Sequence, residues 1–317
     1  MPALRVGVIG CGLIGRKRIE ALTAEDELVG SYDVEPELGT CASVDALLAL
    51  APDVVIVATT HDALADASIA ALEAGAHVLV EKPAGVSRAQ IDAIAAAARR
   101  AGRLVKVGFN HRFHPGIARA VAEARSGAHG EILNVRARYG HGGRLGYERE
   151  WRADPARSGG GELVDQGMHL LDLAHWLLGE LPLHSALLRT AYWDMPVEDS
   201  AVLLLGERGA GPWASLHVSW AEWKNLFSLE IACRTAKLQV DGLVRSYGAQ
   251  RLTRYLMKPE LGPPDVDVID YPDADRSWVE EWRHFRAAIA GEPISLLGSL
   301  DSAAYAWSCV EAAYACR

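Results

Sequence analysis

The chain has 317 residues, half of them apolar, and a formal net charge of -9; this length exceeds what one hydrophobic core usually organises, so two domains are expected. The acidity argues against a nucleic-acid partner, whose phosphates are met by basic surfaces. The five scattered cysteines, Cys11, Cys41, Cys233, Cys309 and Cys316, include no CxxC pair, which argues against a disulfide framework or a zinc cage and fits a reducing cytoplasm.

The apolar stretch 6–14 is interrupted by glycine and has no basic leader, so it reads as strand and turn rather than a signal peptide. No run approaches the roughly 20 apolar residues of a membrane span. Short β-branched runs at 4–9, 28–32, 54–59, 77–81 and 104–107 predict strands. Between them, 13–23, 62–74 and 87–101 carry helical spacing, the last with Ser87 as N-cap. Strands alternating with helices imply an α/β domain built on a parallel sheet covered on both faces.

Near residue 118 the pattern changes. A helix at 119–126, a strand at 132–139 and a helix at 161–178 ended by Gly179 are followed by strands at 201–205, 213–220, 226–233 and 237–240. A Pro- and Asp-rich loop fills 258–275, and helices at 278–290 and 300–315 end the chain. The second part is therefore α+β. Within 213–220, Ala214, Leu216, Val218 and Trp220 share one face and Trp213, Ser215, His217 and Ser219 the other, so one sheet face is packed and the other is open to a partner.

Gly10, Gly12 and Gly15 form a GxGxxG directly after the first strand, with Leu13 and Ile14 opening the helix that follows. Such glycines permit a tight turn, close backbone approach to a pyrophosphate and close strand–helix packing, while the helix N-terminus meets the phosphates. The next strand ends at Asp33, 23 residues after the first glycine. A carboxylate there accepts hydrogen bonds from ribose hydroxyls and repels a 2′-phosphate, and Glu35 adds to the repulsion, so NAD is favoured over NADP. No second dinucleotide segment, as a flavin would require, is visible.

The fourth strand ends in Glu81-Lys82-Pro83, where strand ends face the ligand crevice. Taken alone, Lys82 reads as a solvated strand-end lysine, although a lysine there can also hold a substrate oxygen by a charged hydrogen bond. Asp165 and His169 are four apart on the helix at 161–178, with Asp172 and Trp176 continuing their stripe. A histidine there can take the proton of an alcohol or simply be packed in a core. His111 and His114 are three apart with no cysteine nearby, too little for a metal site, and none is expected.

The segments GCGLIG, HVLVEKP, VGFNHRF and WRADPARSGGGELVDQGMHLLDLAHWLLGE follow one another as in the glucose-fructose oxidoreductase/inositol dehydrogenase/rhizopine catabolism (Gfo/Idh/MocA) family, and the chain resembles that family over essentially its whole length. The resemblance implies an N-terminal Rossmann domain with a doubly wound parallel sheet, and a C-terminal domain with a largely antiparallel open sheet. The expected limits are 1–118 for the NAD-binding domain and 119–298 for the substrate and oligomerisation domain, with the helix at 299–317 packing back on the first. The resemblance also implies that Lys82 orients the reacting oxygen, Asp165 assists and His169 is the general acid/base. By the same resemblance Thr59, Thr60, His61, Glu81, Lys82, Asn110 and Arg112 contact the cofactor. Arg112, Trp151 and Arg152 join Lys82, Asp165 and His169 around the substrate, and Pro83 follows a cis peptide bond. The segment 58–65, ATTHDALA, departs from the family where Pro often follows the first Thr and His often replaces Leu64, so local cofactor contacts are expected to differ.

These readings predict an NAD-dependent oxidoreductase that interconverts a secondary alcohol and a ketone on a sugar, cyclitol or amino sugar by direct hydride transfer. The acidic Glu148, Glu150, Glu162, Asp194, Glu198 and Asp199 would draw a cationic, aminoglycoside-type substrate if they border the cleft. A lyase or glycosidase using NAD for a transient oxidation, and a dinucleotide- or sugar-sensing regulator of the same fold, are the competing readings; the regulator would be expected to lack Lys82 and His169. A cytoplasmic homodimer or homotetramer is expected, with neither nucleic acid nor membrane as partner.

Overall fold

In the computed structural model, which describes residues 3–316, the most apolar short runs form the centre of a sheet. Strand β1 is Arg5–Ile9, β2 Glu27–Tyr32, β3 Val54–Val57, β4 His77–Val80 and β5 Val105–Val107. They are all parallel in the order β2-β1-β3-β4-β5. Every residue of β3, VVIV, is buried, as a strand covered on both faces requires. Ser87 caps the helix Arg88–Ala101 by accepting the Gln90 N–H, and Gly102 ends it in the left-handed region.

This sheet belongs to a compact unit comprising Met1–Asn110, Ala156–Gly159 and Ser277–Ala304. The distant helix Ser277–Ile289 contributes Trp282 and Phe285 to a core with Val6, Val8, Ile56 and Leu79.

The second unit comprises His111–Pro155, Gly160–Arg276 and the chain from Tyr305 onward. Its strands are β6 Ile132–Gly140, β7 Leu183–Arg189, β8 Ser200–Leu205, β9 Trp213–Ser219, β10 Leu226–Cys233, β11 Ala236–Asp241, β12 Gln250–Leu256 and β13 Asp265–Tyr271. The order is β13-β12-β11-β10-β6-β9-β8-β7, antiparallel except for β6 beside β9. The helices Pro115–Arg125 and Met168–Leu178 pack on this sheet. As the alternation in the sequence predicts, Ala214, Leu216 and Val218 are buried while Trp213, Ser215 and His217 are not, but Ser219, expected on the open face, is buried at the strand's end.

Three expectations need correction. Strand β13 falls within the supposed loop at 258–275, and β7 and β12 were not anticipated. β13 is an edge strand whose alternating aspartates make it look like loop, and it forms through its ladder with β12. The helix predicted at 161–178 begins instead with a π turn at Leu163–Gly167 and becomes α-helical from Met168. Just before it, a Cβ on Gly161 would lie 1.9 Å from the Glu198 carbonyl oxygen, so only glycine permits that approach. No helix among the described residues is long and apolar enough to cross a membrane.

Candidate active site

In the first unit, β1 runs into the glycine turn. Gly10 has φ +90°, and a Cβ on it would lie 2.5 Å from the Ala58 backbone. A Cβ on Gly15 would lie 1.9 Å from the Gly10 carbonyl oxygen, whereas one on Gly12 would meet nothing within 4 Å. The glycines at the ends thus hold the turn against β3 and the helix Leu13–Glu20, and the middle one leaves open space over that helix's start, which has no side-chain cap. Open space above uncapped helical N–H groups, with Leu13 and Ile14 contributing two of them, fits a dinucleotide pyrophosphate. Asp33 follows β2; its Oδ2 accepts the Cys11 N–H at 2.6 Å and its Oδ1 accepts the Glu35 N–H at 3.0 Å. Half-buried beside the turn, this carboxylate fits a ribose.

The EKP segment leaves β4 with a cis peptide between Lys82 and Pro83. Glu81 is buried, and its Oε1 accepts from Arg18 Nε at 2.6 Å. Arg18 also donates to Glu281 at 2.6 Å, and Lys106 lies 3.7 Å from Glu281. The Glu81 carboxylate is therefore engaged inside the unit, and Lys82, only half-buried, is the more accessible of the two. Thr59 donates to the Thr60 carbonyl oxygen at 3.0 Å, and Thr60 precedes the helix His61–Glu73. The buried His61 has Nδ1 2.8 Å from the Ser158 carbonyl oxygen, and Asn110 donates to Ser277 Oγ at 2.9 Å.

In the second unit, the π turn and following helix carry Asp165 and His169. Asp165 lies 3.3 Å from Arg152 Nε, and Arg152 stacks at 4.6 Å over the Trp151 ring. His169 lies in a ring cluster: its imidazole stacks on His111 with centroids 3.8 Å apart, and Tyr139 stands edge-on at 6.1 Å. Tyr139 neighbours Tyr247 at 5.4 Å, and Tyr247 receives a hydrogen bond from Gln166 at 3.2 Å. Burial pushes the Tyr139 hydroxyl well above its ordinary pKa, with Tyr247 and Asp165 adding to the rise, and burial pushes Tyr247 up to about 12. Both are thus neutral hydrogen-bonding groups. Arg112 is bidentate to the buried Asp172 at 2.8 and 2.6 Å and lies 5.0 Å over Trp176.

His111, Tyr139 and Tyr247 were not among the predicted site residues. The inward register of Tyr139 with Val135 and Ala137 in β6 was a usable signal, whereas Tyr247 had none. Three of the acidic residues expected to attract a cation are buried. Glu198 accepts the N–H groups of Gly161 and Leu163 and the Tyr314 hydroxyl, while Asp199 accepts those of Ala191, Tyr192 and Trp193. Glu162 is likewise buried. Glu198 and Asp199 organise backbone turns and do not present a negative surface to a substrate.

The sequence matches the description "oxidoreductase family, NAD-binding Rossmann fold" over residues 4–109 and the GFO/IDH/MocA C-terminal domain over residues 117–239. The chain belongs to the Gfo/Idh/MocA family of oxidoreductases. Among relatives of this Gfo/Idh/MocA chain, levoglucosan dehydrogenase of Pseudarthrobacter phenanthrenivorans is 28% identical over 246 residues, 67% of this chain and 61% of the relative. D-glucoside 3-dehydrogenase of Escherichia coli is 31% identical over 193 residues, 56% of this chain and 54% of the relative. Both matches thus span less than two thirds of the relative's length. The crystal structure of GenD2 from gentamicin A biosynthesis, in complex with NAD, superposes with a TM-score of 0.81 at 25% identity, covering 100% of this chain and 94% of that one.

Proposed function

We propose that the chain oxidises a secondary alcohol of a sugar, cyclitol or amino sugar to the ketone, or catalyses the reverse reduction, with NAD as the redox partner. Bound NAD would accept or donate the hydride. The glycine turn from Gly10 to Gly15 and Asp33 would hold the dinucleotide, with support from Thr59, Thr60 and Asn110. Lys82 would hold the reacting oxygen through a charged hydrogen bond, and His169 would take the hydroxyl proton during oxidation and return it during reduction. Asp165, fixed by Arg152, would orient the substrate. Arg112, which the resemblance places at the cofactor and substrate, would act instead by bracing the helix that carries His169, because its guanidinium is bidentate to the buried Asp172, and Trp151 would shape the substrate pocket with Arg152.

The observation that carries this reading is the Asp165–Arg152 ion pair, 3.3 Å long, four residues before a buried His169. The names of the relatives support sugars as the substrate class, and the burial of Glu162, Glu198 and Asp199 leaves only Glu148, Glu150 and Asp194 of the acidic set to favour a cationic one. The test is turnover of a panel of inositols, glycosides and amino sugars followed through reduced nicotinamide. Lys82→Ala and His169→Ala should each lower turnover about 10²-fold or more while NAD binding persists. Full activity in both variants would refute the assignment.

We also propose that copies associate through the open face of the second unit's sheet, where Leu204 and Trp213 are exposed. Sedimentation showing monomer alone at micromolar concentration would refute this.

A further inference from the structure

We propose that His111 is a positioning residue that shares one proton with His169, keeping His169 available as a base at pH values where a lone histidine would be charged. The inference rests on the reading of His169 as the general base. The two rings lie nearly parallel, 15° apart with centroids at 3.8 Å, and only 4% of His111 and 6% of His169 is exposed. Two imidazolium charges at that separation, shielded from water, repel strongly, so the pair takes up one proton over a range in which two independent histidines would take up two.

The stack is built into the fold. Arg112, the residue after His111, is bidentate to Asp172, three residues beyond His169 on the same helix. This clamp ties the turn carrying His111 to the helix carrying its partner. Tyr139, tilted at 5.1 Å, and Phe227, edge-on at 5.6 Å from His111, wall the pair. The other charged or titratable groups on the surrounding elements are Tyr139, Tyr247, Glu162, Asp165 with Arg152, Asp172 with Arg112, and His114 with Asp275. The two tyrosines stay neutral, and the arginines balance Asp165 and Asp172. His114 stands edge-on to His111 at 5.6 Å, and its burial holds it neutral to lower pH than usual. His111 is the neighbour that stacks on His169, and histidine is the side chain whose ordinary charge change falls near neutrality.

With the first proton distributed over both rings, His169 remains neutral in a share of the molecules, and only the second proton removes the base completely. Replacing His111 collapses this to one ionisation. The test is an NMR titration of histidine-labelled full-length protein, comparing the native chain with His111→Phe and, as an uncharged polar control, His111→Asn. His169 should titrate in two stages in the native chain and in one stage in both variants, with protonation complete about one pH unit higher. For a polyol from the panel that is turned over, the acid limb of kcat/KM should move up by the same amount.

An unchanged single-step titration of His169 in the native chain and a folded variant overturns the shared proton. Full turnover in His169→Ala overturns the base assignment instead, so the two failures are separable. If His111→Phe does not fold, His111→Asn decides the outcome.

Discussion

Asp33 Oδ2 accepts the backbone N–H of Cys11 at 2.6 Å, which fastens the carboxylate at the end of β2 to the middle of the glycine turn. One side chain therefore has two separable effects, a hydrogen bond that shapes the turn and a charge that disfavours a 2′-phosphate. Asp33→Asn keeps an oxygen acceptor and removes the charge, whereas Asp33→Ala removes both. We expect Asn to reduce discrimination against NADP about tenfold or more, a change of about 1.4 kcal/mol. We expect Ala to do the same and also weaken NAD binding. Titration calorimetry with both dinucleotides checks this, and unaltered discrimination in both variants would take Asp33 out of cofactor choice.

Arg112 and Asp172 form a bidentate pair with almost no solvent contact. Removing one member strands a buried charge, so Arg112→Met or Asp172→Leu should cost about 3–5 kcal/mol. The apolar double replacement Arg112→Met/Asp172→Leu should cost much less than the sum, because neither charge is left behind. Urea denaturation of the three variants measures this, and additive losses would contradict the pairing.

The parts of this molecule that were legible in the sequence are those set by local pattern. The apolar run of β3, the glycine turn and the spacing to Asp33 each state a backbone requirement within a few residues. β13 was not legible because Asp265, Asp267 and Asp270 outweigh the apolar Val266, Val268 and Ile269, which keep no strict alternation. Its order comes from the neighbouring strand, where Arg254 pairs with Asp267 and Arg251 with Asp270. The fates of Glu198 and Asp199 were hidden for a related reason, since their partners are backbone N–H groups gathered from separate loops. The stack of His111 on His169 joins residues on different elements, and no spacing rule reaches that far.

Burial pushes the His114 pKa below its ordinary value, with Asp275 at 4.0 Å pulling the other way. The unfolded chain therefore binds a proton at His114 that the folded chain does not, between the ordinary value near 6.5 and the lower folded value. The stabilisation is complete above that window and is lost as pH falls through it. His114→Gln removes this contribution, so the drop in urea midpoint between about pH 7.5 and about pH 5.5 should be smaller in the variant than in the native chain. An equal or larger drop would show that His114 does not titrate as its burial demands.

The buried cluster behind EKP holds Glu81 and Glu281 against Arg18 and Lys106. Burial pushes the Glu81 carboxyl up, and the Arg18 guanidinium opposes that rise. Arg18→Met should therefore cost about 3–5 kcal/mol near neutral pH, because the carboxylates lose their shared cation. It should also raise the folded-state pKa of Glu81 further, so that the folded variant binds a proton the unfolded chain lacks. Stability from that proton is present below the ordinary carboxylate range and lost as pH rises through the folded value. The deficit of Arg18→Met relative to the native chain should accordingly shrink between about pH 7.5 and about pH 5. Adding Glu81→Gln should recover part of it at the higher pH. A deficit that grew on acidification, or a double variant weaker than Arg18→Met alone, would mean that Arg18 stabilises this strand end by packing against Trp278, 4.4 Å from its guanidinium, and not by balancing charge.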